Sequence, residues 1–435
     1  MSTDENKKGV KYQTARGMRD IMEEEYYELQ GFFEKAQEIS MYYGFEPIAT
    51  PLVEHEELFL KGMGEHSELA NKELYSLKPR GKNRFVLRPE ATIPIMRSYL
   101  EHNMRHLPQP RMFYYYGPMF RHSTKKSDSS LRQFHQFDLE ILGTEKPVAD
   151  ALIIQTAMMI LKESGAKNLF VDINSIGDKD SRTSYERELK AFYRKNIEKL
   201  SPEDRQLLKT SPLRILSSKH PQTLEVNADA PDAVSYLTPT AKKHFKKVLE
   251  HLEELEIPYR INKTVVHGFE YYSHTVFEIY EETYDEEGTA TAHVVCGGGR
   301  YNYLPKKFNT TKEVPGVGVA IGAERILASD WWAKLTPRIM KKPKIYFIQL
   351  GFDAKLKSLQ IVELLRQAKI PILQSLSQDS LGSQLAIAES TNIPHTIIFG
   401  QREALDGTVI VRNMETRAQE TVSIDTLVKY IRSLK

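Results

Sequence analysis

The residue types and spacings best suited to chemistry lie in two neighbouring segments, 112–120 and 131–140. The first is apolar and is followed by Arg121, and the second contains polar side chains at every other position. Side chains alternate between the faces of a strand. One face of the second segment should therefore carry five residues: Arg132, Phe134, Gln136, Asp138 and Glu140. Such a face holds a phosphate at its cationic end and an amino group near its carboxylates. The spacing predicts half of a nucleotide site and half of an amino-acid pocket in one hairpin.

The length and composition limit the classes of protein to which this chain can belong. Its 435 residues are too many for one core, so we expect two or three domains. With 40% hydrophobic and 27% charged residues, the chain resembles an ordinary globular protein. Its apolar runs are too short to span a membrane, and its first residues contain no hydrophobic signal segment. We therefore expect neither a membrane span nor a secretory leader.

Cysteine content and charge limit the sites and the compartment. The single cysteine, Cys296, excludes an intramolecular disulfide and a multi-cysteine zinc site, and it favours the reducing cytoplasm. We expect Cys296 to be buried and inert. The histidine spacings match no zinc pattern, so we predict no protein metal site. A net charge of +2 neither requires nor excludes nucleic acid.

Apolar periodicity predicts the elements that position these residues. A helix is expected over 23–43, ending at Gly44, and a second over 150–164. Alternating segments predict a mainly antiparallel sheet: 45–50, 71–77, 84–87, 112–120, 132–142, 168–173, 275–280 and 293–296. Residues 177–263 are charged with helical periodicity and are predicted to be a helical insertion. Another helix should begin near Gly322.

A linker rich in proline and lysine, 336–344, marks the clearest domain boundary. Beyond it, strands and helices alternate over 345–435, which predicts a small α/β domain around a mixed sheet.

Four segments far apart in the sequence together resemble one family. They are the run 87–92 (Leu-Arg-Pro-Glu-Ala-Thr), the hairpin, the segments 268–278 and 296–301 around Gly-Gly-Gly-Arg-Tyr, and 316–325. In this order they resemble histidyl-tRNA synthetase, a class II aminoacyl-tRNA synthetase. The likeness extends from the Arg-Gly-Met-Arg-Asp run at 16–20 to the last domain.

The resemblance implies an α+β fold. It comprises a class II antiparallel-sheet catalytic domain over 1–176 and 264–335, the helical insertion over 177–263, and an anticodon-binding-like α/β domain over 345–435.

The resemblance also implies the reaction and its site residues. The activity would be ATP-dependent activation of histidine to histidyl-adenylate, followed by transfer to tRNA. Guanidinium groups suit this chemistry because they stay charged and hold oxygens in a fork geometry. Arg121 would hold the substrate carboxylate and the α-phosphate, and Arg325 the γ-phosphate. The other ATP-binding candidates are Arg132, Phe134 and Gly322, and the amino-acid-binding candidates are Glu90, Thr92, Gln136, Glu140, Tyr271 and Tyr272.

Partners and assembly follow from the same resemblance. Histidine, ATP and a tRNA specific for histidine are the expected partners, with Mg²⁺ accompanying ATP. Pro51 falls where the family has a dimer-interface proline, which implies a homodimer.

Four departures from the family pattern fall in the site. Ser123 and Thr124 begin a run, 123–130, where the family has a glutamate that reads adenine and an adjacent arginine. His267 stands where the family has an arginine that faces the α-phosphate. In addition, Asn302-Tyr303 replaces Asp-Gly, and Ala91 replaces a glycine.

These departures leave three hypotheses open. The first is a divergent histidine–tRNA ligase in which Lys125, Lys126 or His267 supplies the missing contacts. The second is a non-catalytic paralogue that senses histidine, like the regulatory subunit of ATP phosphoribosyltransferase. The third is a tRNA-binding module without chemistry.

Overall fold

The computed structural model describes residues 12–64, 67, 69–78, 81, 83–122, 131–284, 289–311, 313–339, 341–376 and 380–434. Contacts divide the chain into two compact units, with the division between Pro337 and Arg338. In the described residues, no helix is both long and apolar enough to cross a membrane.

The first unit is built on an eight-stranded sheet and a small three-stranded one. Its strands are β1 (Glu46–Pro47), β2 (Val53–His55), β3 (Tyr75–Leu77), β4 (Phe85–Leu87), β5 (Arg111–Phe120), β6 (Gln133–Leu142), β7 (Leu169–Ser175), β8 (Tyr259–Ile261), β9 (Ser273–Tyr284), β10 (Ala290–Arg300) and β11 (Gly316–Gly322). The large sheet has the order β1-β5-β6-β11-β10-β9-β7-β8, and the small one β2-β4-β3. All pairs in the large sheet are antiparallel except β1 with β5 and β7 with β8.

Helices of the first unit cover the sheet and form the insertion. They are α1 (Glu23–Tyr42), α2 (Glu56–Met63), α3 (Thr92–Glu101), α4 (Pro147–Glu163), α5 (Lys179–Lys195), α6 (Pro202–Thr210), α7 (Pro221–Ala228), α8 (Pro239–Glu254) and α9 (Ala323–Leu327). The main core joins α1, α4 and α8 to the sheet through buried side chains such as Phe32, Ile153 and Phe277. The opposite face packs against α2 and α3 in a second core.

The predicted antiparallel-rich fold with a helical insertion is confirmed. Helices α5 to α8 make up most of 177–263. Helices α5 to α7 share a separate core that includes Tyr185, Leu189 and Tyr193, whereas α8 packs in the main core. The insertion also contributes a strand that the periodicity did not predict, since β8 pairs in parallel with β7 at the sheet edge.

Two short segments differ from the strand predictions. Most of the predicted strand 71–77 is wrong, because Leu69–Glu73 forms a π-helical turn and only Tyr75–Leu77 is a strand. The predicted strand 45–50 is reduced to Glu46–Pro47. Proline has no N–H to donate to a ladder, which limits regular pairing here.

The glycine run 297–299 continues strand β10, although the sequence had suggested that the strand ends at Cys296. A Cβ on Gly298 would lie 2.1 Å from the carbonyl oxygen of Gly318, and one on Gly299 2.7 Å from that of Thr275. Glycine is needed here because neighbouring backbone approaches closely.

The second unit is a mixed five-stranded sheet with helices, as predicted. It contains β12 (Ile345–Gln349), α10 (Phe352–Gln367), β13 (Ile372–Gln374), α11 (Leu381–Ser390), β14 (His395–Phe399), α12 (Gln401–Asp406), β15 (Thr408–Asn413), β16 (Gln419–Ser423) and α13 (Ile424–Ser433). The strand order is β13-β12-β14-β15-β16, parallel among the first three and antiparallel afterwards. Helix α12 and strand β16 were not predicted from the sequence.

Candidate active site

Strand β6 carries the predicted site face between β5 and β11. Gln136 lies opposite Gly117 on β5 and Gly322 on β11, and Glu140 lies opposite Phe113 and Gly318. A Cβ on Gly318 would be 1.9 Å from Glu140 Oε2. The absence of a side chain at position 318 therefore gives the Glu140 carboxyl its place.

Glu140 is held by two hydroxyl groups. Thr92 Oγ1 donates to Glu140 Oε1 at 2.5 Å, and the Tyr301 hydroxyl donates to Oε2. The side chain is 1% exposed. Burial raises the pKa of Glu140 to about 8, although both hydroxyl contacts favour the charged form.

Glu90 stands just before helix α3 and accepts hydrogen bonds from that helix's first amides. The N–H of Thr92 lies 3.1 Å from Oε2, and that of Ile93 lies 2.9 Å from Oε1. Burial raises the pKa of Glu90 to about 7, although the Ile93 amide and the charge of Arg121 both act to lower it. Ala91 has φ −108°, so this departure from the family's glycine introduces no left-handed strain.

Arg121 is fixed where β5 ends. Its Nε donates to the carbonyl oxygen of Pro89 at 2.9 Å, and its guanidinium carbon lies 5.0 Å from the ring centre of Phe134. Burial lowers the pKa of Arg121, while Glu90 raises it most among the nearby groups. The group remains a cation, since an ordinary guanidinium pKa is far above neutrality.

The two predicted catalytic arginines lie at the wall of one cavity of about 790 Å³. Arg121 and Arg325 both line it, although they are separated by 204 positions in the sequence. Arg121 directly follows β5, and Arg325 belongs to α9. Arg325 is exposed, and its Nη1 donates to the carbonyl oxygen of Val294 at 2.9 Å. Other predicted residues in the wall are Phe134, Gln136, His267, Tyr272 and Gly322.

The two adjacent tyrosines play different structural parts. Tyr272 lines the cavity, whereas Tyr271 is 3% exposed and packs in the second core with Tyr301. The rings of Tyr271 and Tyr272 are 4.7 Å apart. Burial raises the pKa of both, so their hydroxyls are neutral donors at physiological pH.

Of the remaining predicted ATP contacts, Arg132 is not among the residues that line the cavity. Its backbone N–H donates to the carbonyl oxygen of Gly17 at 2.7 Å. Its aliphatic carbons pack against Gly17, where an added Cβ would lie only 2.7 Å from Cγ of Arg132. Arg132 therefore packs along the segment that precedes α1.

His267 occupies the cavity wall with one ring nitrogen already engaged. Its Nε2 lies 2.8 Å from the carbonyl oxygen of Gly298, and its ring centre is 4.7 Å from that of Tyr272. A carbonyl oxygen only accepts hydrogen bonds, so Nε2 carries the hydrogen in this geometry. Ser123 and Thr124, with Lys125 and Lys126, lie outside the described residues.

Several further residues shape this site, although the sequence alone gave them no role. Arg19 lines the cavity, and the Tyr301 hydroxyl contacts Glu140. The Glu324 carboxylate accepts from the N–H of His135 at 2.8 Å and contacts its ring Nδ1, which ties the start of α9 to β6. Arg19 and Tyr301 belong to the segments that carry the family likeness, and that membership is the signal that points to them.

Comparisons with known proteins agree with this arrangement. A family model described as "Histidyl-tRNA synthetase" matches residues 17–326, and one described as "Anticodon binding domain" matches 344–434. A relative named histidine–tRNA ligase from Geobacillus thermodenitrificans is 35% identical over 421 residues, which are 97% of this chain and 98% of the relative.

Solved structures are similar over most of the chain. The apo histidyl-tRNA synthetase of S. aureus matches with a TM-score of 0.77 and 29% identity, over 97% of this chain and 100% of that one. A structure titled as an ATP phosphoribosyltransferase regulatory subunit/histidyl-tRNA synthetase from Bacillus halodurans matches with a TM-score of 0.60 and 21% identity, over 88% of this chain and 97% of that one. At that identity it shows a common fold alone.

Proposed function

This chain belongs to the histidyl-tRNA synthetase family, and we propose that it is a histidine–tRNA ligase that activates histidine with ATP and transfers it to tRNA. We assign the class II catalytic domain to 1–176 and 264–335, and the helical insertion to 177–263. A linker over 336–344 leads to the anticodon-binding-like domain over 345–435, which would read the tRNA.

The observation that carries the proposal is the shared cavity of Arg121 and Arg325. In adenylate formation, a carboxylate oxygen of histidine attacks the α-phosphorus of ATP, and pyrophosphate leaves with the electrons of the broken P–O bond. Negative charge grows at the α-phosphate and on the leaving group. Two fixed guanidinium groups at the wall of one cavity suit that charge distribution.

Each side chain receives a role in this reaction. Arg121, held by Pro89 and Phe134, would bind the carboxylate and α-phosphate. Arg325 would bind the γ-phosphate, and Phe134 and Gly322 would form part of the ATP site. Gln136, Tyr272 and Glu140 would recognise histidine, with Tyr271, Thr92 and Glu90 supporting them.

Mg²⁺ accompanying ATP fits the donors in the wall. Mg²⁺ prefers oxygen ligands and is usually held by one or two carboxylates plus substrate phosphates. Glu278 lines the cavity, and its Oε2 accepts from the Tyr280 hydroxyl at 2.8 Å. The other oxygen of Glu278 would be the protein's contribution, and the ion would neutralise phosphate charge.

A homodimer in the cytoplasm completes the proposal. Pro51 and the apolar Leu52 and Val53 are exposed, the latter two by 43% each, at the position of the family's dimer segment. The single cysteine, buried Cys296, suits a reducing compartment. A strictly monomeric mass at micromolar concentration would contradict the dimer.

Histidine-dependent ATP–pyrophosphate exchange tests the function. The wild type should exchange, and Arg325→Ala should reduce the rate about 10²–10³-fold through loss of one preorganised donor. Arg366→Ala is the control, because Arg366 is exposed on α10 and pairs with Glu363. Equal exchange rates in the wild type and in Arg325→Ala would contradict the role assigned to Arg325.

The alternative is a non-catalytic histidine sensor, and the same assay distinguishes it from the ligase. It draws support from His267, whose Nε2 is engaged by the Gly298 carbonyl instead of offering the family's guanidinium. Histidine binding without exchange would favour a sensor. A tRNA complex without a response to histidine would favour the tRNA-binding module.

A further inference from the structure

Arg19 is a cation at the cavity wall to which the roles above assign no task. It lines the same cavity as Arg121 and Arg325. Its side chain is 42% exposed, so a ligand that enters the cavity can reach the guanidinium group. Guanidinium groups stay charged and hold phosphate oxygens in a fork geometry. Arg19 is therefore a candidate for contact with the nucleotide.

The segment that carries Arg19 is fixed to the site strand β6 through Gly17. The carbonyl oxygen of Gly17 accepts from the N–H of Arg132 at 2.7 Å and from that of Gln133 at 3.4 Å. The aliphatic carbons of Arg132 also pack against Gly17. Arg132, which does not line the cavity itself, thus holds down the segment that brings Arg19 to the cavity.

The charges around Arg19 place it on the side of the cavity where α9 begins. Hydrogen bonds to Glu25 raise the pKa of Arg19 most, and the charge of Glu324 raises it as well. Glu324 directly precedes Arg325 on α9, and both of its carboxylate oxygens contact His135. Arg19 is therefore close to the end of the site that Arg325 would use for the γ-phosphate.

The partner of Arg19 in this structure is an exchangeable one. Its Nη1 donates to Glu25 Oε2 at 2.7 Å, and its Nη2 donates to Oε1. The two side chains are 42% and 40% exposed, and ion pairs this exposed are weak because water screens them. A carboxylate held by both arms of a guanidinium has the arrangement that two phosphate oxygens would take. A phosphate, which carries more charge, can displace Glu25.

A triphosphate needs more cations than the two arginines already assigned. Among the described residues of the cavity wall, the guanidinium groups are those of Arg19, Arg121 and Arg325. His267 in the same wall has its Nε2 engaged by the Gly298 carbonyl oxygen, which leaves a single ring nitrogen for a ligand. Arg19 adds a permanent positive charge to this wall.

We propose that Arg19 is a further ATP-binding residue, which exchanges Glu25 for the β- and γ-phosphates when the nucleotide enters the cavity. This inference rests on the proposed function and adds to it a third guanidinium group at the end of the site from which pyrophosphate leaves. Arg121 keeps the α-phosphate, and Glu25 acts as the placeholder that holds Arg19 in position before ATP binds.

A pair of nucleotides isolates the contact. ATP and AMP share the base, the ribose and the α-phosphate, and AMP lacks the two outer phosphates. In Arg19→Met, the dissociation constant for ATP should rise about tenfold or more while that for AMP stays unchanged, as expected for loss of hydrogen bonds between charged groups. Calorimetry without histidine measures both constants, because no adenylate forms in its absence.

Glu25→Gln should change ATP binding in the opposite direction. The variant removes the charge that competes with the phosphates for Arg19, so ATP should bind about two- to fivefold more tightly. AMP binding should again stay unchanged. If the ion pair only held the start of α1 in place, Arg19→Met and Glu25→Gln would both weaken ATP binding. That result would overturn the proposal.

Arg366→Met and Glu363→Gln are the matched controls. These residues form a similarly exposed ion pair on α10, outside the first unit. Neither control should change the affinity for ATP or for AMP.

The outcomes separate the role of Arg19 from the proposed function. ATP affinity that is the same in the wild type and in Arg19→Met would overturn the role of Arg19, even if histidine-dependent exchange is present. Absence of exchange in a wild type whose ATP affinity depends on Arg19 would overturn the ligase function and support the phosphate contact.

Discussion

At the scale of single residues, the site is defined by carboxyl groups that the fold keeps away from water. The pKa of Glu140 is raised by burial to about 8 and that of Glu90 to about 7. The pKa of Asp138 is raised as well, first by burial and then by repulsion from Glu140 and Glu90. A carboxyl with a raised pKa carries its proton more readily in the folded than in the unfolded chain. Its contribution to stability is therefore present at low pH and is lost as the pH rises.

Glu140→Gln tests this linkage. The contribution of Glu140 should be complete below its usual pKa of about 4.5 and lost as the pH rises through about 8. The side chain of the variant cannot ionise. Between about pH 5 and pH 8, the free energy of unfolding should therefore fall less in the variant than in the wild type, and the difference should be on the order of 2 kcal/mol. Urea unfolding followed by tryptophan fluorescence reports on the first unit, because the two tryptophans are Trp331 and Trp332.

Glu363→Gln is the control for this series. Glu363 is a partly exposed carboxyl on α10, paired with Arg366. It should leave the pH dependence of the fluorescence transition unchanged. An identical pH dependence in wild type and Glu140→Gln would show that Glu140 does not carry the proton.

His267→Arg tests how much the proposed loss of a phosphate contact limits the reaction. The His267 ring is anchored by Nε2 on the Gly298 carbonyl, so only Nδ1 remains for a ligand. A guanidinium there would bring additional donors with a permanent charge. The exchange rate should rise, by up to about 10²-fold if one transition-state donor is restored. His293→Arg, an exposed position on β10, should leave the rate unchanged. A rate unaffected by His267→Arg would mean that other groups already supply the contact.

At the scale of elements, glycines and one arginine determine where the site residues stand. Gly318 on β11 leaves the room that Glu140 on β6 occupies. Arg182 on α5 fastens the loop that carries the tyrosines: its Nη1 donates to the carbonyl oxygens of Glu270 at 2.9 Å and Tyr272 at 3.2 Å. The helical insertion therefore positions part of the cavity wall.

Gly318→Ala should displace the Glu140 carboxyl. The new Cβ would lie 1.9 Å from Glu140 Oε2. We expect a loss of about 1–3 kcal/mol in stability from overpacking, together with weaker histidine binding. Gly382→Ala is the control, because no atom lies within 4 Å of the Cβ position at Gly382. Alanine in that helix, α11, should be neutral or slightly stabilising. Urea unfolding and calorimetry measure both effects.

Arg182→Met should loosen the tyrosine loop without touching the substrate. The histidine KM in the exchange assay should rise about tenfold, the equivalent of roughly one lost charged hydrogen bond. The ATP KM should change less, since Arg325 lies on a different element. Arg187→Met, an exposed position on the same helix, serves as the control. Equal effects of the two variants would refute the positioning role.

At the scale of the whole molecule, the two units have separate hydrophobic cores. The clusters of the first unit lie in residues up to Leu335, and those of the second begin at Ile345. We therefore expect each unit to fold by itself.

Ending the chain at Pro337 separates activation from tRNA recognition. The shortened protein should retain histidine-dependent exchange, because the cavity belongs to the first unit. Its kcat/KM for charging tRNA should fall by at least about tenfold, since the part matched by the anticodon-binding model is removed. Aminoacylation with labelled histidine measures this loss. Undiminished charging would contradict the role given to 345–435.

Regular patterns made much of the fold predictable from sequence. The alternation in 132–142 predicted β6 and the face it presents, because Phe137, Leu139 and Ile141 pack in the main core while the polar residues between them lie on the other face. The end of helix α1 near Gly44 was predicted because glycine often follows the last turn of a helix. In the structure, Gly44 has φ +88°, a conformation that glycine tolerates best. Helix α3 was not predicted, and the structure shows that Glu90 satisfies its first amides from outside the helix.

The family likeness, the order of elements and the residue types of the site could be derived from the sequence, because they depend on composition and local period. The hydrogen-bond partners of the buried carboxyls could be known only from the folded structure. Glu90 and Glu140 are engaged by Thr92, Ile93 and Tyr301, whereas Asp138 is not. The reason is physical: a hydrogen-bond partner can come from any part of the chain, and Tyr301 is 161 positions away from Glu140. Spacing along one segment cannot encode that contact.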